Sequence, residues 1–97
     1  MQARDDGARP CVQFIVAGIV QGVGFRFFAH RVAMRLGVVG YVRNRPDGTV
    51  QVVARAPREV LEEYEALLRE GPSMSQVTSV EREYHEPGDW TSFEISH

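Results

Sequence analysis

The order in which strand-like and helix-like hydrophobic patterns follow one another constrains the fold of this chain most strongly. Apolar residues that alternate with polar ones predict strands, and apolar residues three and four positions apart predict helices. The pattern predicts strand, helix, strand, strand, helix and strand, followed by one more short strand. The predicted strands are 12–17, 38–44, 49–55, 76–85 and 93–96, and the predicted helices begin near residues 25 and 57.

The ends of these segments carry residues suited to stopping or turning the chain. Gly37 follows the first helix as a C-cap glycine, and Gly71-Pro72 stops the second. Asp47-Gly48 predicts a hairpin turn between the second and third strands. The order of elements predicts an α+β chain of the ferredoxin-like class, with both helices on one face of an antiparallel sheet and a short C-terminal strand added.

Length and composition predict one domain at 12–97 after a flexible N-terminal tail at 1–11. The chain has 97 residues, which fits one hydrophobic core. Its single cysteine, Cys11, predicts no internal disulfide. The N-terminal stretch lacks the apolar region of a signal peptide, and no apolar run approaches the roughly 20 residues that span a membrane. We expect a cytoplasmic monomer that binds no membrane.

Several function classes fit the sequence poorly. A net charge of −2 argues against a nucleic-acid partner held by basic residues. The three histidines have no close cysteine or histidine partner at metal-ligand spacing, so we expect no metal and no cofactor. The Gly22-x-Gly24 pair continues to Phe27, where a dinucleotide-binding motif requires a small residue, and no Gly-Lys-Ser/Thr follows.

The stretch 18–26 joins the first predicted strand to the first predicted helix. Gly22 and Gly24 permit a backbone in which successive N–H groups turn inward, and a helix that begins near Phe25 adds free amides and partial positive charge. Arg26 supplies a fixed charge. These features predict a phosphate-like anion site, although the same glycines also suit a plain tight turn with Arg26 on the surface.

Both this stretch and a second cluster resemble the signature of the acylphosphatase family. The matching segments are Gly18-Ile-Val-Gln-Gly-Val-Gly-Phe-Arg26, Gly40-Tyr-Val-Arg-Asn44 and Asp47-Gly-Thr-Val50. The resemblance extends from about Val12 to Ile95 and implies the ferredoxin-like fold. The chain departs from some members at Ser96-His97, which leaves the role of the C-terminus open.

The resemblance implies roles for particular residues. Arg26 would bind the phosphoryl group, and Asn44 would orient the attacking water. The phosphate cradle would be the backbone of Gln21, Gly22, Val23, Gly24, Phe25 and Arg26. Such a site has no general acid or base of its own, which suits an acyl phosphate, because its leaving carboxylate needs no proton.

Some alternatives remain open. Phe25 fits the core, whereas the sequence does not place Phe27. Arg43 and Arg45 would either steer anionic substrates or simply face solvent. A carbamoyl phosphate module of a larger protein is a related possibility, and an RNA- or regulator-binding ferredoxin-like module is an unrelated one. The preferred hypothesis is hydrolysis of small acyl phosphates to carboxylate and phosphate.

Overall fold

The computed structural model describes residues 9–97, and it has the predicted order of elements. The elements are β1 Cys11–Ile19, α1 Phe25–Leu36, β2 Val39–Asn44, β3 Val50–Arg55, α2 Arg58–Glu70, β4 Gln76–Tyr84 and β5 Phe93–Ser96. The first strand therefore begins at the last residue of the predicted N-terminal tail and runs past the predicted end at 17. The rest of that tail, apart from residues 9 and 10, lies outside the described residues.

The five strands form one mixed sheet in the order β4-β1-β3-β2-β5. The predicted antiparallel arrangement is confirmed for β1 to β4. The added strand β5 instead runs parallel to β2, with Gly40 opposite Phe93. The segment between β4 and β5 crosses from one edge of the sheet to the other, along the end of the sheet where β4 finishes and β2 starts. There Ser92 O accepts a hydrogen bond from Gly40 N–H at 3.1 Å. Strand β5 consequently starts beside the start of β2.

Both helices cover one face of the sheet and enclose the core. In α1 the buried residues Phe25, Ala29 and Val32 recur at helical spacing. In α2 the buried residues at that spacing are Leu61, Tyr64 and Leu68. These side chains pack on the alternate residues of the strands that point toward the helices, namely Val12, Phe14, Val16, Val42, Val50, Val52, Ala54, Val80 and Phe93. Within residues 9–97, neither helix is long and apolar enough to cross a membrane.

The other face of the sheet carries a row of polar side chains across four strands. Arg43 Nε donates to Gln51 Oε1 at 2.6 Å, and Gln51 Nε2 donates to Gln13 Oε1 at 2.8 Å. Gln13 Nε2 then donates to Glu83 Oε1 at 3.3 Å. Successive side chains of a strand point to opposite faces. Because Arg43 lies on the open face, its neighbour Asn44 points to the helix face, where the loop before α1 lies.

Candidate active site

The loop between β1 and α1 has the backbone that the two glycines were expected to permit. Gly22 has φ 76° and Gly24 has φ 82°, both in the left-handed region that other residues rarely adopt. Gly24 is also the N-cap of α1, and it provides no side-chain cap. The first intrahelical hydrogen bond runs from Phe28 N–H to Gly24 O at 3.0 Å. The loop therefore turns sharply into the helix.

The start of α1 favours an anion. The amides of Phe25, Arg26 and Phe27 come before the first intrahelical hydrogen bond, so they have no acceptor inside the helix. The aligned peptide dipoles add partial positive charge at this end. The first turn carries no acidic side chain, which would otherwise neutralise that charge. A bound phosphate group would satisfy both the amides and the dipole.

A cavity of about 170 Å³ lies at this helix terminus. Its lining residues are Val20, Gly22, Gly24, Phe25, Arg26, Phe27 and Asn44. Arg26 comes from the first turn of α1, and Asn44 is the last residue of β2. The structure therefore brings together the two side chains that the sequence motifs single out, with two loop glycines in the same wall.

Two residues of the predicted phosphate cradle direct their side chains elsewhere. Gln21 Nε2 donates to Arg45 O at 2.8 Å and to Thr49 O at 2.9 Å, so it ties the loop to the turn between β2 and β3. Val23 is partly buried and packs against the hydrophobic core. Any contact of these two residues with phosphate would use their backbone amides, as predicted, and not their side chains.

The turn that Gln21 holds has its own internal hydrogen bonds. Asp47 Oδ1 accepts from the Thr49 hydroxyl at 2.6 Å and from Thr49 N–H at 3.0 Å. The hydrogen bond from the Thr49 hydroxyl is the main reason that the pKa of Asp47 lies below its usual value. Arg45 Nη2 lies 3.5 Å from Asp47 Oδ2. Arg45 therefore pairs with the turn that carries it, and Arg43 with Gln51 on the open face.

The last two residues, Ser96 and His97, contact Arg26 in the candidate site. The sequence analysis had left the role of these C-terminal residues open. Arg26 Nη1 lies 3.5 Å from the backbone oxygen of Ser96 and 3.3 Å from His97 Nδ1. The parallel pairing of β5 with β2 explains this contact, because it carries the end of the chain toward the end of β2 where Asn44 lies. The imidazole of His97 thus lies next to Arg26, although the sequence analysis did not include it in the site.

The other histidines lie away from this cavity. The ring of His30 packs near Phe93 with centroids 6.2 Å apart, and His85 lies 6.3 Å from the Trp90 ring. Among residues 9–97, no three His, Cys, Asp or Glu side chains lie close enough together to hold a metal ion. The candidate site consists of backbone amides, one guanidinium and one carboxamide, with an imidazole beside the guanidinium.

Comparisons with known proteins confirm the resemblance. The acylphosphatase family model matches residues 12–95. The chain is 48% identical over 84 residues to an acylphosphatase of Pasteurella multocida, a match that covers 86% of this chain and 93% of the relative. The ferredoxin-like fold is confirmed by solved acylphosphatases. That of Coxiella burnetii superposes with a TM-score of 0.90 at 29% identity, over 98% of this chain and all of the other. That of Bacillus subtilis gives 0.85 at 32% identity, over 90% and 98%.

Proposed function

Because this chain belongs to the acylphosphatase family, we propose that its hydrolysis of small acyl phosphates is carried out by Arg26, Asn44 and the backbone amides of residues 21–26. The products are a carboxylate and inorganic phosphate. One observation carries the assignment of roles, namely the 170 Å³ cavity that Arg26 and Asn44 line together at the N-terminus of α1.

The loop and Arg26 bind the phosphoryl group. The free amides at the start of α1 point to the non-bridging oxygens, and the Arg26 guanidinium can donate two parallel hydrogen bonds to them. In a loose transition state the charge is spread over these same oxygens, so the donors stabilise the transition state without moving. The contacts of Arg26 with Ser96 and His97 help to hold the guanidinium in place.

Asn44 positions the nucleophile. Its carboxamide holds a water molecule in line with the bond from phosphorus to the acyl oxygen. The water oxygen forms the new bond to phosphorus, the bond to the acyl oxygen breaks, and its electron pair leaves on the carboxylate. The proton of the water passes to a phosphoryl oxygen. Carboxylic acids have a pKa of about 4, so the carboxylate departs at neutral pH without a general acid. The mechanism needs no metal and no covalent intermediate.

The proposal also covers the enzyme's location, oligomeric state and partners. We infer that it works as a cytoplasmic monomer on a small molecule, without nucleic acid or membrane. The net charge of −2 supports the absence of a nucleic-acid partner, since such binding depends on neutralising phosphates with many basic side chains.

The test is release of phosphate from acetyl phosphate and benzoyl phosphate, with a chelator present. We expect turnover by the wild type, and a loss on the order of 100-fold or more in kcat/KM for Arg26→Ala, which removes a donor aimed at the transition state. Asn44→Ala should lose kcat while inorganic phosphate still inhibits it competitively at a similar concentration, because its role is to hold water.

A matched control is Arg35→Ala, which removes an exposed arginine from the other end of α1 and should keep wild-type kinetics. Near-normal turnover by Arg26→Ala would remove Arg26 from the mechanism. If Asn44→Ala raised KM alone, Asn44 would bind substrate instead of positioning water. Inactivity of the wild type on both substrates would overturn the proposed function.

A further inference from the structure

Three phenylalanines near the site have different environments. Phe25 is 1% exposed and belongs to the core, and Phe28 packs against that core with its ring 5.8 Å from the Phe25 ring. Phe27 is 65% exposed and lines the cavity. We propose that Phe27 is the docking surface for the acyl part of the substrate, and that it selects apolar and above all aromatic acyl groups. This inference rests on the proposed function.

The position of Phe27 in α1 sets its side chain beside the anion site. It is the third residue of the helix, and its own amide is one of the three that precede the first intrahelical hydrogen bond. Phe27 directly follows Arg26 in α1, and both residues line the same cavity. An exposed aromatic ring next to a phosphate site is not explained by core packing, because the core is completed by Phe25, Ala29 and Val32.

The size of the cavity leaves the acyl group outside it. The cavity of about 170 Å³ is small, and in the proposed mechanism it takes up the phosphoryl group with its three free oxygens and the attacking water. An acyl group larger than acetyl must extend past the rim, where it meets the Phe27 ring.

The chemistry of the rim favours an apolar group. The polar side chains that line the cavity, Arg26 and Asn44, are assigned to the phosphoryl group and the water. The other lining side chains are those of Val20, Phe25 and Phe27, which offer no hydrogen bond. Offset or edge-to-face contact of an aromatic acyl group with the Phe27 ring adds affinity beyond the area buried. A charged acyl group gains nothing from this surface.

The test compares selectivity instead of activity alone. The quantity to measure is the ratio of kcat/KM for benzoyl phosphate to kcat/KM for acetyl phosphate in the wild type, Phe27→Ala, Phe27→Tyr and Met34→Ala. Met34 is the matched control, since it is another exposed apolar residue of α1, 56% exposed, that does not line the cavity. Tyrosine keeps an aromatic ring at position 27.

We expect the ratio to fall about three- to tenfold in Phe27→Ala, which corresponds to the loss of one aromatic contact. Phe27→Tyr and Met34→Ala should keep the wild-type ratio. Equal losses on the two substrates in Phe27→Ala, or the same fall in Met34→Ala, would overturn the inference. These outcomes require a wild type that hydrolyses acetyl phosphate, so they differ from the inactivity that would overturn the proposed function.

Discussion

Gln21 joins the two halves of the site through a single side chain. Its carboxamide reaches the carbonyls of Arg45 and Thr49, which lie on either side of the turn that follows Asn44. The loop proposed to bind phosphate and the strand that ends at Asn44 are therefore fixed relative to one another. The sequence predicts each half from local signals, but not this link, because the two acceptor carbonyls become neighbours of Gln21 only in the folded sheet.

Gln21→Ala should weaken both folding and phosphate binding. It removes two hydrogen bonds, while the backbone N–H groups of Gly48 and Arg45 still donate to the carbonyls of Arg45 and Thr49, so we expect a loss of about 1–2 kcal/mol in free energy of unfolding. Gln21→Glu, of the same shape, should lose more phosphate affinity, because a carboxylate cannot donate and adds negative charge near the anion site. Urea unfolding and competitive inhibition by phosphate measure the two effects. Gln76→Ala, at the exposed start of β4, is the control; wild-type inhibition in Gln21→Ala would contradict the coupling.

At the scale of elements, one hydrogen bond connects the two helices. Tyr64 of α2 donates its hydroxyl to Ala29 O of α1 at 2.8 Å. The same ring meets Phe14 and Phe93 edge-on, with centroids 6.3 Å and 6.1 Å apart. The sequence predicts Tyr64 as a core position of an amphipathic helix, yet helical spacing says nothing about where its hydroxyl goes. The contact fixes α1, and therefore its N-terminal anion site, against α2.

Tyr64→Phe should lower the melting temperature by about 4–8 °C, because it removes a hydrogen bond worth about 1 kcal/mol in a domain of this size. Burial raises the pKa of Tyr64 above its usual 10.0. The stabilising contribution is therefore complete below pH 10.0 and declines as the pH rises toward the folded-state pKa. Thermal unfolding should therefore show a smaller difference in melting temperature between Tyr64→Phe and wild type above pH 10 than at pH 7. Tyr84→Phe, at an exposed tyrosine, should unfold like wild type at pH 7; an equal effect there would contradict the argument.

At the scale of the whole molecule, the direction of β5 decides what surrounds Arg26. Hydrophobic periodicity and the turn residues predict every helix and strand, because those signals are local. The sequence around β5 does not show which strand it pairs with or in which direction it runs. A strand of four residues, Phe93–Ser96, has the same alternating pattern whichever strand it pairs with. The crossing from β4 settles both, and it brings the chain end to Arg26. The Asn44 position was predictable because it closes β2 just before a hairpin turn.

His97→Ala should reduce kcat/KM for acetyl phosphate about two- to fivefold, since an arginine that loses one contact is less well positioned, and small displacements of a positioning group cost rate. Circular dichroism should show an unchanged fold, because His97 lies on the surface. The variant His85→Ala changes a histidine far from the cavity and should keep wild-type kinetics. Wild-type kinetics in His97→Ala would show that the contact with Arg26 has no catalytic consequence.

The polar row on the open face of the sheet also determines which pairing of strands the chain can accept. If β3 slipped by one residue, Gln51 would turn into the core beneath the helices and lose its bonds to Gln13 and Arg43. Burying a carboxamide without hydrogen-bond partners would destabilise the slipped sheet. A strand made only of valines at these positions would tolerate the slip. The row thus selects one alignment during folding. The same alignment turns Asn44 toward the helices, so the residues that protect against misfolding also orient the amide that we propose positions the attacking water.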